Sequence, residues 1–169
     1  PGGIRSEKHR GVFDTGIEAS FKLSRTWTTA SSKLLDVDGL RHIIEPSANY
    51  IYVPRPSKLP NELPQFDYTI PSLRLRPLDF PEMNSIDSIT SQNTVRLGLR
   101  NKFQTKRDGE LTTLANWEVF TDARIDEQPG EDRFSYLYSD LLFSPRKWLN
   151  FESEVQLDIA NGGSCALAY

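Results

Sequence analysis

The chain has 169 residues, with 20 Lys plus Arg against 23 Asp plus Glu and a formal charge of −3. It has neither the basic excess of a nucleic-acid binder nor an acidic tail, and its one cysteine cannot build a disulfide framework or a thiolate metal site. Hydrophobic residues make up 37 % without any run of about 18, which excludes a transmembrane helix but not a transmembrane β-barrel, whose strands hide apolar residues at every second position.

The chain opens on Pro1 with no charged-then-apolar leader: either a leader has been removed or, the favoured reading, this is an interior piece of a longer protein. Its dominant signal is a period of two. From 12 to 28, Phe13, Ile17, Ala19, Phe21, Leu23 and Trp27 fall on one face, with Thr15 and Arg25 among them. Asp14, Glu18, Ser20, Lys22, Ser24 and Thr26 fall on the other. This predicts a strand far longer than the usual length of about six residues.

A second strand is predicted over 41–53, with Pro46 inside it and no clean separation of faces. Residues 54–92 form a long connection holding seven of the 11 prolines. It is too long for a bare connector and carries Phe66, Tyr68, Ile70, Leu73, Leu75, Leu78 and Phe80, so an ordered external or infolded loop is expected, with a disordered Pro-rich insertion as the alternative.

Over 93–103, Val95, Leu97, Leu99 and Phe103 alternate with Thr94, Arg96, Gly98, Arg100 and Lys102. Over 111–125, Ala115, Trp117, Val119, Ala123 and Ile125 oppose Asn116, Glu118, Asp122 and Arg124, but Leu114 and Phe120 break the polar face. In 133–143, Tyr136, Tyr138 and Asp140 share a face against Leu137, Leu141 and Phe143. In 148–160, Leu149, Phe151, Val155, Leu157 and Ile159 alternate with Asn150, Glu152, Glu154, Gln156 and Asp158.

No segment has a helical period. The reading is all-β, an antiparallel meander of about six long strands. The links around Ser31 to Gly39, Lys106 to Gly109 and Ser144 to Lys147 are compact and follow the first, third and fifth strands. A meander puts these on one side and the long loop on the other, the asymmetry of outer-membrane barrels with short periplasmic turns and long external loops.

Chemical motifs are missing: there is no phosphate-binding loop, zinc-protease helix, paired-cysteine motif or nucleophile elbow. No catalytic, cofactor or metal residue is therefore named, and an enzyme is not expected. His9 and His42 read as solvated or barrel-lining, and Cys165 as a lone thiol whose partner, if any, lies outside this chain. Glu152, Glu154 and Asp158 share a strand face, as do Arg96, Arg100 and Lys102. A cation site is one reading of the acidic face. The simpler one is a hydrated lumen with complementary charges on neighbouring strands, so these six are the candidate lumen-facing residues. Trp27, Tyr50, Tyr52, Trp117 and Trp148 fit membrane-interface belts or ordinary β-propensity.

A specific resemblance emerges from the motifs in order. Leu40-Arg41-His42-Ile43-Ile44-Glu45-Pro46 followed by Tyr50-Ile51-Tyr52-Val53-Pro54 resembles a strand of the LptD family of LPS-assembly outer-membrane proteins, also called organic solvent tolerance proteins. Leu63-Pro64-Gln65-Phe66-Asp67 is similar to that family's L-P-x-F-D loop. Asn84, Asp87 and Ile89, then Asn93 through Phe103, resemble its next strand. The resemblance covers about residues 40–125. It implies a segment of a very large C-terminal barrel, fitted with an LptE-like plug lipoprotein and fed with lipopolysaccharide by an LptA-like periplasmic bridge. About six tilted strands cannot close such a barrel, and open edges are not viable in lipid. The expectation is a barrel sector embedded in the outer-membrane bilayer. The alternatives are another outer-membrane barrel, porin-like or small, and a soluble sandwich or lipocalin-like binding module.

Overall fold

The computed structural model describes residues 9–66, 87–127, 130, 132–160 and 165–168. They form one antiparallel sheet of β1 (Thr15–Ser20), β2 (Leu23–Ser32), β3 (Val37–Val53), β4 (Gln92–Arg107), β5 (Glu110–Arg124), β6 (Leu137–Arg146), β7 (Leu149–Leu157) and β8 (Cys165–Ala168). β1 and β2 both pair with β3, and the remaining strands follow in chain order. The result is an all-β meander of seven positions, open at both edges among the described residues, as a barrel sector is.

The segment expected as one strand from 12 to 28 is two, and Pro46 is the reason. Ser20 pairs with Ser47 and Leu23 with Ile44, so Phe21 and Lys22 stand opposite Pro46 and Glu45. The Pro46 carbonyl accepts from Phe21 N at 3.4 Å, so that edge of Pro46 faces the break. Proline has no N–H to return on that edge, and the ladder lapses there. At the far end, Cys165–Ala168 adds a short strand paired with β7, beyond the strands read from sequence.

The turns follow local chemistry. Asp108-Gly109 joins β4 to β5 as a two-residue hairpin with φ of 51° and 83°, the positive pair that favours Asp-Gly. Gly39 (φ 72°) is an extra residue in β3, between the Asp38–Lys106 and Leu40–Thr105 pairs. The Thr105 hydroxyl ties this bulge down, accepting from Asp38 N at 3.0 Å and donating to Gly39 O at 2.8 Å. Ser144-Pro145, expected as a turn, lies instead inside β6 as an irregularity between the Phe143–Phe151 and Arg146–Leu149 pairs. A bulge tolerates a proline that a regular ladder would not.

The three compact turns lie at one end of the sheet, where a single guanidinium ties the β2–β3 turn to the irregular end of β6. Arg107 donates to the carbonyls of Leu35, Asp36, Ser144 and Pro145 at 2.8–3.1 Å, and its side chain is 1 % exposed.

Burial is inverted relative to a soluble protein. The only hydrophobic residues buried among those described are Ile51, Val53, Ile89 and Leu114. Ile17, Phe21, Leu23, Leu97, Leu99, Trp117, Leu141, Phe151 and Leu157 are all exposed. A sandwich or lipocalin would cover such residues against a second layer. Here the registers collect most of them on one face of the sheet.

Of the long connection, 54–66 and 87–91 are described, while Tyr68 to Phe80 lie outside the described residues. The described parts converge. Phe66 N donates to the Asp87 carboxylate at 2.9 Å, Gln65 Nε2 reaches Asp87 O at 3.2 Å, and Ile89 packs with Ile51, Val53 and Val12. The base of the loop is thus folded onto the end of β3.

Candidate functional site: the polar face of the sheet

The strand registers decide which charges meet. On β4 the polar face carries Thr94, Arg96, Gly98, Arg100 and Lys102. Across β3 their partners are Ile51, Asn49, Ser47, Glu45 and Ile43; across β5, Arg96 meets Asp122, Gly98 meets Phe120, Arg100 meets Glu118 and Lys102 meets Asn116. β6 and β7 continue the same rows through Tyr138, Asp140 and Leu142, then Gln156, Glu154 and Glu152.

Arg96 grips Asp122 in a fork, Nε to Oδ1 at 2.8 Å and Nη2 to Oδ2 at 3.0 Å. Their side chains are only 16 % and 13 % exposed. One row along, a chain of alternating charge crosses the sheet. Lys22 contacts Glu45 at 3.4 Å, Glu45 contacts Arg100 at 3.4 Å, and Arg100 Nε donates to Glu118 Oε1 at 2.6 Å. Asn116 adds a second donor to the same Glu118 oxygen at 2.9 Å. Lys22 lies on this face by the same alternation as Ser20 and Ser24, and the registers of β1 and β2 on β3 set it opposite Glu45.

Of the six residues singled out from sequence, five share this face: Arg96, Arg100, Lys102, Glu152 and Glu154. Asp158 does not belong to the row. It follows the end of β7, and its Oδ1 accepts from Ala160 N at 3.1 Å, closing a turn. Arg96 and Arg100 are already neutralised by carboxylates, whereas Lys102, half-buried beside Asn116, has no ion pair among the described residues. Lys22 and Glu45 were missed as site residues because their chain of contacts depends on the registers of β1 and β2 on β3 and of β3 on β4, which a period of two does not reveal.

Phe120, which spoiled the sequence alternation, sits on the polar face for a packing reason. It is opposite Gly98, where an added Cβ would stand 3.1 Å from Phe120 Cδ1 and 2.6 Å from Ser47 Oγ. The missing side chain makes room for the ring. Among the described residues, no group of three or more His, Cys, Asp or Glu could hold a metal ion. No helix among them is long and apolar enough to cross a membrane, which says nothing of a β-barrel.

A family model described as LPS transport system D matches residues 1–164. The chain belongs to the LptD family. Searches of curated proteins and of solved structures return no match. The family match extends well beyond the 40–125 stretch where motifs are recognisable by eye, and takes in β1, β2, β6 and β7. Membership of the LptD family makes this an LPS-transport and outer-membrane component. It also gives the loop contacts a context. The LptD-like loop residues Gln65 and Phe66 meet the LptD-like Asp87, 22 and 21 positions away in sequence, so two motifs that the chain separates are one structural feature.

Proposed function

We propose that this sheet is a sector of the wall of an outer-membrane translocon that assembles lipopolysaccharide into the outer leaflet. The apolar face lies in lipid and the polar face lines a hydrated lumen. The observation that carries this reading is the inversion of burial: Leu99 is 39 % exposed, while the Arg96 and Asp122 side chains on the opposite face are 16 % and 13 % exposed. Lipid covers the first face, and on the second the charged groups cover one another in pairs.

The mechanism is guidance rather than chemistry. The polar rows hold the phosphorylated sugar in water, with Lys102 as the cation for a phosphate, because Arg96 and Arg100 are already engaged by Asp122, Glu118 and Glu45. Glu152 and Glu154 belong to the hydrated wall. By family resemblance an LptE-like lipoprotein fills the lumen and an LptA-like bridge delivers cargo on the compact-turn side, which is then periplasmic. The long loop 54–92 is external.

A photo-crosslinking residue at Lys102 or Leu99 of the full-length protein, in growing cells, tests the reading. Position 102 should give lipopolysaccharide adducts and position 99 phospholipid adducts. No lipopolysaccharide at 102 would refute the lumen assignment. Sidedness follows from single cysteines at exposed Ser57 and Leu34, with native thiols removed. An impermeant reagent on intact cells should label the first and spare the second; labelling of Leu34→Cys alone would invert the topology.

A further inference from the structure

The apolar face carries one charge that the barrel reading does not explain. Between the Trp27–Leu40 row and the Thr15–Tyr52 row, the registers put Arg25 on this face, and it is the one Lys, Arg, Asp or Glu there among the described strands. It is exposed and makes no ion pair among the described residues. Its guanidinium lies over the Trp27 ring, 5.1 Å from the centroid. The neighbouring polar groups satisfy each other: His42 Nε2 and Asn101 Oδ1 are 3.1 Å apart, and the His42 ring stacks on Phe103 with centroids 4.1 Å apart.

Depth makes this position informative. Trp27 pairs with Leu40, five residues from the middle of β3. At roughly 3.4 Å per residue and a tilt of about 40°, that level is about 13 Å from the middle, the edge of an apolar band about 25 Å tall. Arg25 is rooted two residues inside that edge and folds its long side chain outward along Trp27, so the charge sits at the boundary while the stem stays in the apolar zone. Tyr50 and Tyr52 lie toward the opposite boundary. A cation at that level, on a face without carboxylates, is matched by a phosphate, which a guanidinium binds with two donors.

We propose that Arg25 and Trp27 form a binding site for the headgroup phosphate of an anionic phospholipid, in the leaflet on the compact-turn side. The site rests on the reading that the apolar face is in lipid, and it adds a fixed lipid to that face.

The test uses the full-length protein in mixed bilayers containing phosphatidylglycerol or phosphatidylcholine bearing a photoreactive group near the headgroup. Adducts on the peptide containing Trp27 are quantified by mass spectrometry. One cation near a membrane surface contributes about fivefold in partition, so the phosphatidylglycerol probe should label about five times more than the phosphatidylcholine probe. Arg25→Ala should equalise the two, while Arg25→Lys should keep most of the preference. The phosphatidylcholine adduct reports that each variant is folded and lipid-facing. An unchanged preference in Arg25→Ala, or equal labelling in the unsubstituted protein, overturns the site; the latter is the result expected if a carboxylate from the strand beyond β2 covers Arg25. No adduct from either probe would overturn the lipid-facing assignment itself.

Discussion

Placing a charge at Leu99 is the sharpest test of which face meets lipid. β4 runs over Gln92–Arg107, so its midpoint falls between Leu99 and Arg100. At roughly 3.4 Å per residue, with a tilt of about 40°, Leu99 is about 1 Å from the middle level of the strand. Arginine at a lipid-facing midplane position costs about 2–4 kcal/mol, roughly 30- to 1,000-fold in the folding equilibrium. The next residue supplies the control. Arg100 points the other way and is 47 % exposed, with contacts to Glu118 and Glu45 at 2.6 and 3.4 Å. Pairs this exposed contribute about 0.2–1 kcal/mol. Leu99→Arg should therefore lower the urea midpoint of the full-length protein in micelles several times more than Arg100→Leu. Tryptophan fluorescence and the gel mobility of unheated samples both read the transition. If Arg100→Leu is the more damaging change, or Leu99→Arg is neutral, the apolar face is not in lipid.

The remaining expectations concern other parts of the sheet. Arg107→Met should destabilise by about 1.5–3 kcal/mol in the same assay, because four carbonyls lose a charged donor; Arg107→Lys should recover little, since one ammonium cannot span them. Gly98→Val should cost about 1–3 kcal/mol through the Phe120 contact, and a double-mutant cycle with Phe120→Leu should show coupling above about 0.5 kcal/mol. The hydrogen bond from Lys147 to Asp108 holds the Asp108 carboxyl below its ordinary range and the Lys147 ammonium above its own. The contribution from Asp108 is complete above the unfolded carboxylate value of about 3.9 and is lost as pH falls through the lower folded value; that from Lys147 is complete below about 10.4 and is lost as pH rises through the higher folded value. Acylation of Lys147 at alkaline pH should accordingly be slower than in an Asp108→Asn variant, and equal rates would count against the contact.

The alternation in residues 12–28, 93–103 and 148–160 was enough to make this an all-β meander of amphipathic strands, because a pleated strand turns every second side chain to the same face regardless of its neighbours. The Asp108-Gly109 hairpin was legible for an equally local reason, since its φ values suit those two residues. The ordered motifs around Glu45-Pro46, Gln65-Phe66 and Asn93 carried the family. Pairing was not legible: a period of two is unchanged when a strand slides by two residues, so nothing in the alternation joins Arg96 to Asp122 rather than to Phe120 or Arg124. That choice was made by contacts between strands, by the extra residue at Gly39, and by Gly98 making room for Phe120. The same holds for Lys22, which meets Glu45 through the pairing of β1 and β2 with β3, and for Arg107, which binds the 35–36 turn and the irregularity at 144–145 only once the strands are assembled. Local periodicity determined the faces; register and bulges determined which charges on those faces are neutralised and which, like Lys102 and Arg25, have no ionic partner among the described residues.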